Sequence, residues 1–520
     1  MTKHLRVFIV LSLIVLSSCT LPTSAPSSNG SAPNFVLVSP NPNAPPTSTP
    51  FQPGGVVLAP SDAPTLAATF TPLPPTDTPL PTLAFTATNL PLPTSSAPST
   101  RTQYTLFAIL DYSGQQLAAD QTIKYTNQTG IPLNELVLAV EANLKGGFTL
   151  ENLLLAGNSP SYDLSEHRLT VHLPQPLAPN AQAVLAMRFR ISIPPKSKEH
   201  PYGYDVDQVN LTDWYPFIVP YNNGWVLHDT WSVGEHLVYD SSDFEVNIQT
   251  TDEGVVIAAS GASEPNGEWT RYRLSGARTF AFSASDQFLV LDATAGGAAI
   301  RSYYYPGYES QALAILNAAV RAIGLFETQF APFPYGSLNI IQADLNDGQE
   351  YDGLIFVGTK FYNEYDGSAR SNLVSIGVHE IAHQWWFGLV GSDQAMEPWL
   401  DEALSIYSEE IFYRYIYPNS HDWWWNFRVN YFGPSGYVDS TIYDAPSFRA
   451  YVNASYLNGA NFLEALNFRM GDDDFFRFLQ DYATRYARGR ATGYDFFAVA
   501  RQNTTEDISD LINAYFKGDY

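Results

Sequence analysis

Cysteine is nearly absent: the 520-residue chain has one, Cys19, so no disulfide can form within it. Basic residues are scarce as well. Against 52 Asp and Glu stand 27 Lys and Arg, a formal net charge of −25. The lack of a basic field to meet phosphates argues against nucleic acid as a partner. Beyond the first residues no apolar run reaches the roughly 20 residues that a membrane-spanning helix needs. Size is not lacking, since 520 residues suffice for two or three domains with a sizeable core.

At the N-terminus Lys3 and Arg6 precede an apolar stretch, residues 7–16, that is too short to cross a bilayer. The string Leu16-Ser17-Ser18-Cys19 follows and resembles a bacterial lipobox. That resemblance implies a signal peptide over 1–19, cleavage before Cys19 and lipidation of its thiol. The protein would then be exported and held in the cell envelope, on the outer side of the cytoplasmic membrane, by an anchor rather than a span. An ordinary signal peptide with an incidental cysteine is the alternative. Residues 20–100 hold 19 of the 37 prolines and only two charges, Asp62 and Asp77. A segment so poor in large apolar residues cannot bury enough surface to fold, and reads as a disordered tether.

Residues 101–295 read as a β-rich domain. In 184–193, Leu185, Met187, Phe189, Ile191 and Ile193 alternate with smaller or charged residues, the period of a strand with one buried face. His167, His172, His200, His228 and His236 are scattered along this part and are assigned structural roles. Trp214, Tyr215, Tyr221 and Trp225 are assigned to packing rather than to a cleft wall. From about residue 296 to 520 the pattern turns helical. Leu313, Leu316, Val320, Ile323 and Phe326 predict an amphipathic helix over 309–330. The expected class is therefore α+β and multidomain, an N-terminal antiparallel β domain followed by a mainly helical catalytic domain.

Chemistry concentrates in residues 373–410. Residues 373–390 read as one apolar helix carrying His379, Glu380 and His383, and Glu402 lies on a second helix. Residues four apart stack on one helical face, so the two imidazoles share a face while Glu380 sits about 100° round. Two neutral imidazoles and a carboxylate make a three-ligand zinc site with one position open to water, the hallmark of a catalytic rather than structural ion. Glu409, seven residues beyond Glu402, is either a support for the site or an exposed carboxylate. Trp423–Trp425 form an aromatic cluster without an evident role.

The strings HEIAHQWWFGLVG and WLDEALSIY resemble the membrane alanyl aminopeptidase family of gluzincin zinc metallopeptidases. The resemblance covers roughly residues 105–520 and is strongest over 335–490. It implies a thermolysin-like catalytic domain, peptide substrates and one zinc ion per chain. It makes His379, His383 and Glu402 the metal ligands and Glu380 the general base. Residues 347–354 resemble the family's amine-binding motif, with Glu350 at the position that holds the substrate's α-ammonium. Residues 456–459 resemble its tyrosine motif, with Tyr456 donating to the oxyanion. Departures are Asp347, Gln349, Tyr351, Ala403 and Asn458. The chain ends soon after the catalytic part, without the large helical domain of many relatives, which implies a more open cleft. A zinc endopeptidase of the same fold, or a non-catalytic surface-binding lipoprotein, would share most of these residues.

Overall fold

The computed structural model describes residues 100–520. Cys19, the signal-peptide reading and nearly all of the tether reading lie outside the described residues. Among these, four sheets and a helical region follow one another.

The largest sheet runs, edge to edge, Ala262–Asn266, Trp269–Ala277, Ser242–Thr250, Gln103–Asp111, Gln116–Thr126, Gln182–Ser192, Phe148–Leu155. The alternation around Phe189 places Leu185, Phe189 and Ile191 fully inside and Arg188 and Arg190 outside. One pairing departs from the antiparallel expectation: Gln103–Asp111 lies parallel to Ser242–Thr250. The chain leaves the sheet after Gln182–Ser192, adds short strands to two smaller sheets, and returns beside its first strand by a long connection, which a parallel pair requires. Trp214 fills the space between layers, its ring 6.3 Å from Phe189 of the first sheet and 5.6 Å from Phe282 of another. The neighbouring Tyr215 is buried as well, so this aromatic run is core.

Asp213, just before Trp214, sits at φ +48, a conformation that Asp and Asn tolerate better than most side chains. Its carboxylate accepts a hydrogen bond from the Tyr239 hydroxyl at 2.8 Å. Burial pushes its pKa from 3.8 to about 6. The native state thus binds this proton more tightly than the unfolded chain. The associated stability is fully present below pH 3.8 and is lost as pH rises through 6. Asp213→Asn keeps the conformation and the acceptor but removes the charge. It is expected to stabilise the fold by on the order of 1–2 kcal/mol at pH 8 and by nothing near pH 4, read from denaturant midpoints at the two pH values.

The fourth sheet introduces the site. Its order is Leu289–Ala295, Ala298–Tyr304, Ser337–Ala343, Leu354–Gly358, Gly348–Tyr351, the last strand antiparallel at the edge. The first two strands form a hairpin across residue 296. Helix Glu309–Gln329 packs on the sheet and on helix Asn372–Ala382. The expected single helix over 373–390 is shorter than its apolar pattern suggested. Regular turns stop at Ala382, a wide π-helical stretch covers Gln384–Leu389, and Trp386 and Phe387 leave helical dihedrals. The reason lies in another part of the chain. Buried Arg278 takes the carbonyl of Phe387 at 2.6 Å and that of Tyr239 at 3.0 Å, so the turn opens to feed a guanidinium. Asp352 completes this clasp, accepting from the amides of Arg278 (3.0 Å) and Thr279 (2.7 Å) and from the Tyr335 hydroxyl. No described helix is long and apolar enough to cross a membrane.

Candidate metal centre

His379, on the last full turns of Asn372–Ala382, and His383, capping that helix, face Glu402 near the start of helix Trp399–Ile416. Nε2 of His379 lies 3.2 Å from one Glu402 oxygen, and Nε2 of His383 lies 3.6 Å from the same atom. One donor atom from each residue falls within 4.8 Å of the others, and all three side chains are buried. Each imidazole is held from behind. Nδ1 of His379 is 3.1 Å from Glu409, and Nδ1 of His383 is 2.5 Å from Asp401 and 3.1 Å from the Ser405 hydroxyl. These contacts aim both Nε2 atoms at one point and raise their basicity as ligands.

Glu409 is therefore not an exposed carboxylate. It is 0% exposed, and Arg428, itself 1% exposed, donates to it through Nε at 2.8 Å. Trp424, from the aromatic cluster, donates its indole N–H at 2.9 Å. Removing Arg428 would strand a buried charge against a ligand histidine, which is why such pairs are costly to break.

Glu380 lies beside the histidines, its carboxylate against the edge strand. A side chain at Gly348 would overlap its carboxylate, so the edge strand can approach this closely only as glycine. One Glu380 oxygen is buried without a hydrogen-bond partner, and burial pushes the group up to about 8. Tyr456, in the π-helical stretch Val452–Asn458, lays its ring parallel to that of His379, 6.1 Å between centroids and 9° between planes. Burial and the neighbouring Glu402 carboxylate push its hydroxyl well above its ordinary value, so it is a proton donor at neutral pH. Glu350, on the edge strand, contributes to a group with Glu380 and His383 whose donor atoms lie within 4.8 Å. One of its oxygens is also buried and unpartnered. Tyr351, a departure from the family pattern, is buried with its ring edge-on to Phe356.

Sequence reasoning missed one carboxylate here. Glu235 lies on an irregular strap of the β domain between Phe217–Ile218 and Ser242–Thr250. It joins Glu350 and Asp401 in a second group within 4.8 Å. The amides of Gln349 and Gln394 each donate to it. The preceding Gly234 has φ +71 and runs against Ile442 and Tyr451, where any side chain would collide. No periodicity marks this strap in the sequence.

The residues fit a zinc ion. Two nitrogen donors and one oxygen converge at the separation that zinc ligands adopt. Glu235, Glu350, Glu380, Asp401 and Glu402 crowd together, and burial with this mutual repulsion pushes Glu350 well above its ordinary value. Burial would lower His379, yet its bonds to Glu402 and Glu409 raise it to about 10. A buried site so hungry for positive charge is one where a divalent cation displaces protons.

Such a centre, between a β domain and a helical domain, has the donor set of a zinc metallopeptidase. Residues 315–515 match the Peptidase family M1 domain. Over 239 residues the chain is 25% identical to Aminopeptidase M1-B of Oryza sativa subsp. japonica, covering 43% of this chain and 27% of that protein. Over 222 residues it is 27% identical to Endoplasmic reticulum aminopeptidase 1 of Mus musculus, covering 40% and 24%. The match thus spans less than a third of the length of either relative. The fold extends further: the crystal structure of an M1 zinc metallopeptidase from Deinococcus radiodurans superposes with a TM-score of 0.59 at 16% identity, over 81% of this chain and 94% of that one.

Proposed function

We propose that this protein is a zinc-dependent aminopeptidase that removes N-terminal residues from peptides. The observation that carries the reading is the pair Glu235 and Glu350, buried carboxylates tied together through Gln349 and set beside the ligand face of His383. Two carboxyls driven up by burial and by one another are a receptor for a cation. A substrate α-ammonium supplies one, and its capture fixes the first peptide bond at the metal.

When bound, zinc polarises a carbonyl and acidifies a water. Glu380 accepts a proton from that water on its unpartnered oxygen and delivers it to the departing amine. Tyr456 donates a hydrogen bond to the carbonyl oxygen as negative charge builds on it. Arg428 and Glu409 keep His379 in register, and Asp401 does so for His383. An endopeptidase has no use for a buried carboxylate pair at this point, because a peptide continuing through it would leave both charges unmatched.

The test is a panel of aminoacyl fluorogenic substrates and their N-blocked counterparts, with and without a zinc chelator. Chelator-sensitive hydrolysis confined to free-amine substrates is expected. Equal cleavage of blocked substrates would make the protein an endopeptidase, and no cleavage would leave a binding protein.

The proposal also places the enzyme on the outer side of the cytoplasmic membrane, on a lipid carried by Cys19. The lipobox-like string and the use of the chain's single cysteine there support this. Labelled palmitate should be incorporated by the wild type and not by Cys19→Ala; equal labelling would sink the anchor.

A further inference from the structure

A second constellation lies in the β domain, away from the zinc ligands. Glu141 opens the short helix Glu141–Leu144, His167 sits in the turn between Tyr162–Ser165 and Arg168–Leu177, and His236 follows Glu235 on the strap. Their separation in sequence made these histidines look unrelated. Nδ1 of His167 is 2.7 Å, and Nε2 of His236 is 3.4 Å, from the same oxygen of Glu141. The two rings face each other, 5.5 Å between centroids and 27° between planes. Glu141 is 2% exposed and His167 6%.

The arrangement repeats the donor set of the catalytic centre, where two imidazole nitrogens stand 3.2 and 3.6 Å from one oxygen of Glu402. It also contains an unanswered atom. Nε2 of His236 is buried, and its one polar neighbour is the Glu141 oxygen at 3.4 Å, long for a hydrogen bond. Were that nitrogen protonated, the Glu141 oxygen would be its natural acceptor, yet the contact stays longer than the 2.7 Å that His167 makes to the same atom. Were it a lone pair, it would face a carboxylate oxygen, which repels it unless a cation lies between them. Bonds of about 2.0–2.2 Å to zinc in tetrahedral geometry separate two ligand atoms by about 3.3–3.5 Å, which the His236 contact already meets and the His167 contact reaches by opening about 0.6 Å.

We propose that Nδ1 of His167, Nε2 of His236 and a Glu141 oxygen bind a second divalent cation, with zinc the chemical match for two imidazoles and a carboxylate. Three protein ligands leave the remaining positions to water. The ion would tie the strap to the helix and the turn, fixing the backbone that carries Glu235.

The experiment counts metal in the full chain, a readout independent of hydrolysis. After equilibration with zinc and removal of excess, elemental analysis should give two equivalents per wild-type chain. The double variant His379→Ala with His383→Ala, which destroys the catalytic centre, should keep one. His167→Ala should also keep one, and Glu141→Gln, nearly isosteric, serves if the histidine variant fails to fold. A wild-type count of one, with none left in the His379/His383 double variant, overturns the second site while leaving the catalytic centre intact.

Discussion

Glu380→Gln should keep its full complement of catalytic zinc and lose about three orders of magnitude in kcat. The substitution preserves shape against Gly348, which tolerates nothing larger than a hydrogen at this contact. It leaves the His379, His383 and Glu402 geometry untouched. What it removes is a basic oxygen, the one that has no hydrogen-bond partner in the structure. General bases of this kind contribute about 10²–10⁴-fold, and an amide of the same size contributes none of it. The pH profile gives an independent reading. Burial pushes the Glu380 carboxyl up to about 8, and a nearby divalent cation pulls it back down. The ionised form is the active one, so wild-type kcat/KM should fall as pH drops through an acid limb below 8. The residual activity of the variant should lack that limb. Elemental analysis beside the kinetics separates the possibilities: full activity would remove Glu380 from the mechanism, and loss of zinc would make it a structural residue.

The convergence of His379, His383 and Glu402 was legible because local geometry dictates it. One helical turn stacks His379 on His383, and Glu402 follows within the next helix. The supports behind them were half legible. Glu409 shares a helical face with Glu402, but nothing nearby in sequence announces that Arg428 and Trp424 fold back onto it. Glu235 was not legible at all. Its contact with Gln349 spans 114 positions and depends on how a strap without regular structure crosses the catalytic half. The overlong reading of the zinc helix has the same origin. Residues 384–390 carry a helical apolar pattern, and only a guanidinium from residue 278 opens the turn. His167 and His236, 69 positions apart, read as scattered in sequence, and only sheet topology sets both on one Glu141 oxygen. Local spacing reveals a site when one element supplies it and conceals it when the register of several does.

Glu350→Ala should abolish the preference for a free amine rather than hydrolysis as such. Burial and mutual repulsion disfavour ionising Glu350 and Glu235 together without a cation. Glu235 is pushed up to about 8 by burial and by Glu402 and Asp401, and Glu350 is held well above its ordinary value by burial and by Glu235. An incoming ammonium lets both carboxylates ionise and gains a charge-assisted hydrogen bond from each. Deleting one partner of such a buried pair costs about 2–5 kcal/mol. For an aminoacyl substrate this should appear as a fall in kcat/KM of about 10²–10³-fold. An N-blocked substrate brings no charge to the pocket, so its slow hydrolysis should change little. The ratio of the two rates is the diagnostic, because a merely damaged active site lowers both together. Glu235→Ala should move the same ratio in the same direction, since Gln349 donates to both carboxylates and holds them as one receptor. An unchanged ratio in Glu350→Ala would mean that the ammonium is held elsewhere, and the exopeptidase reading would lose its physical basis while the metal chemistry of His379, His383 and Glu402 remained.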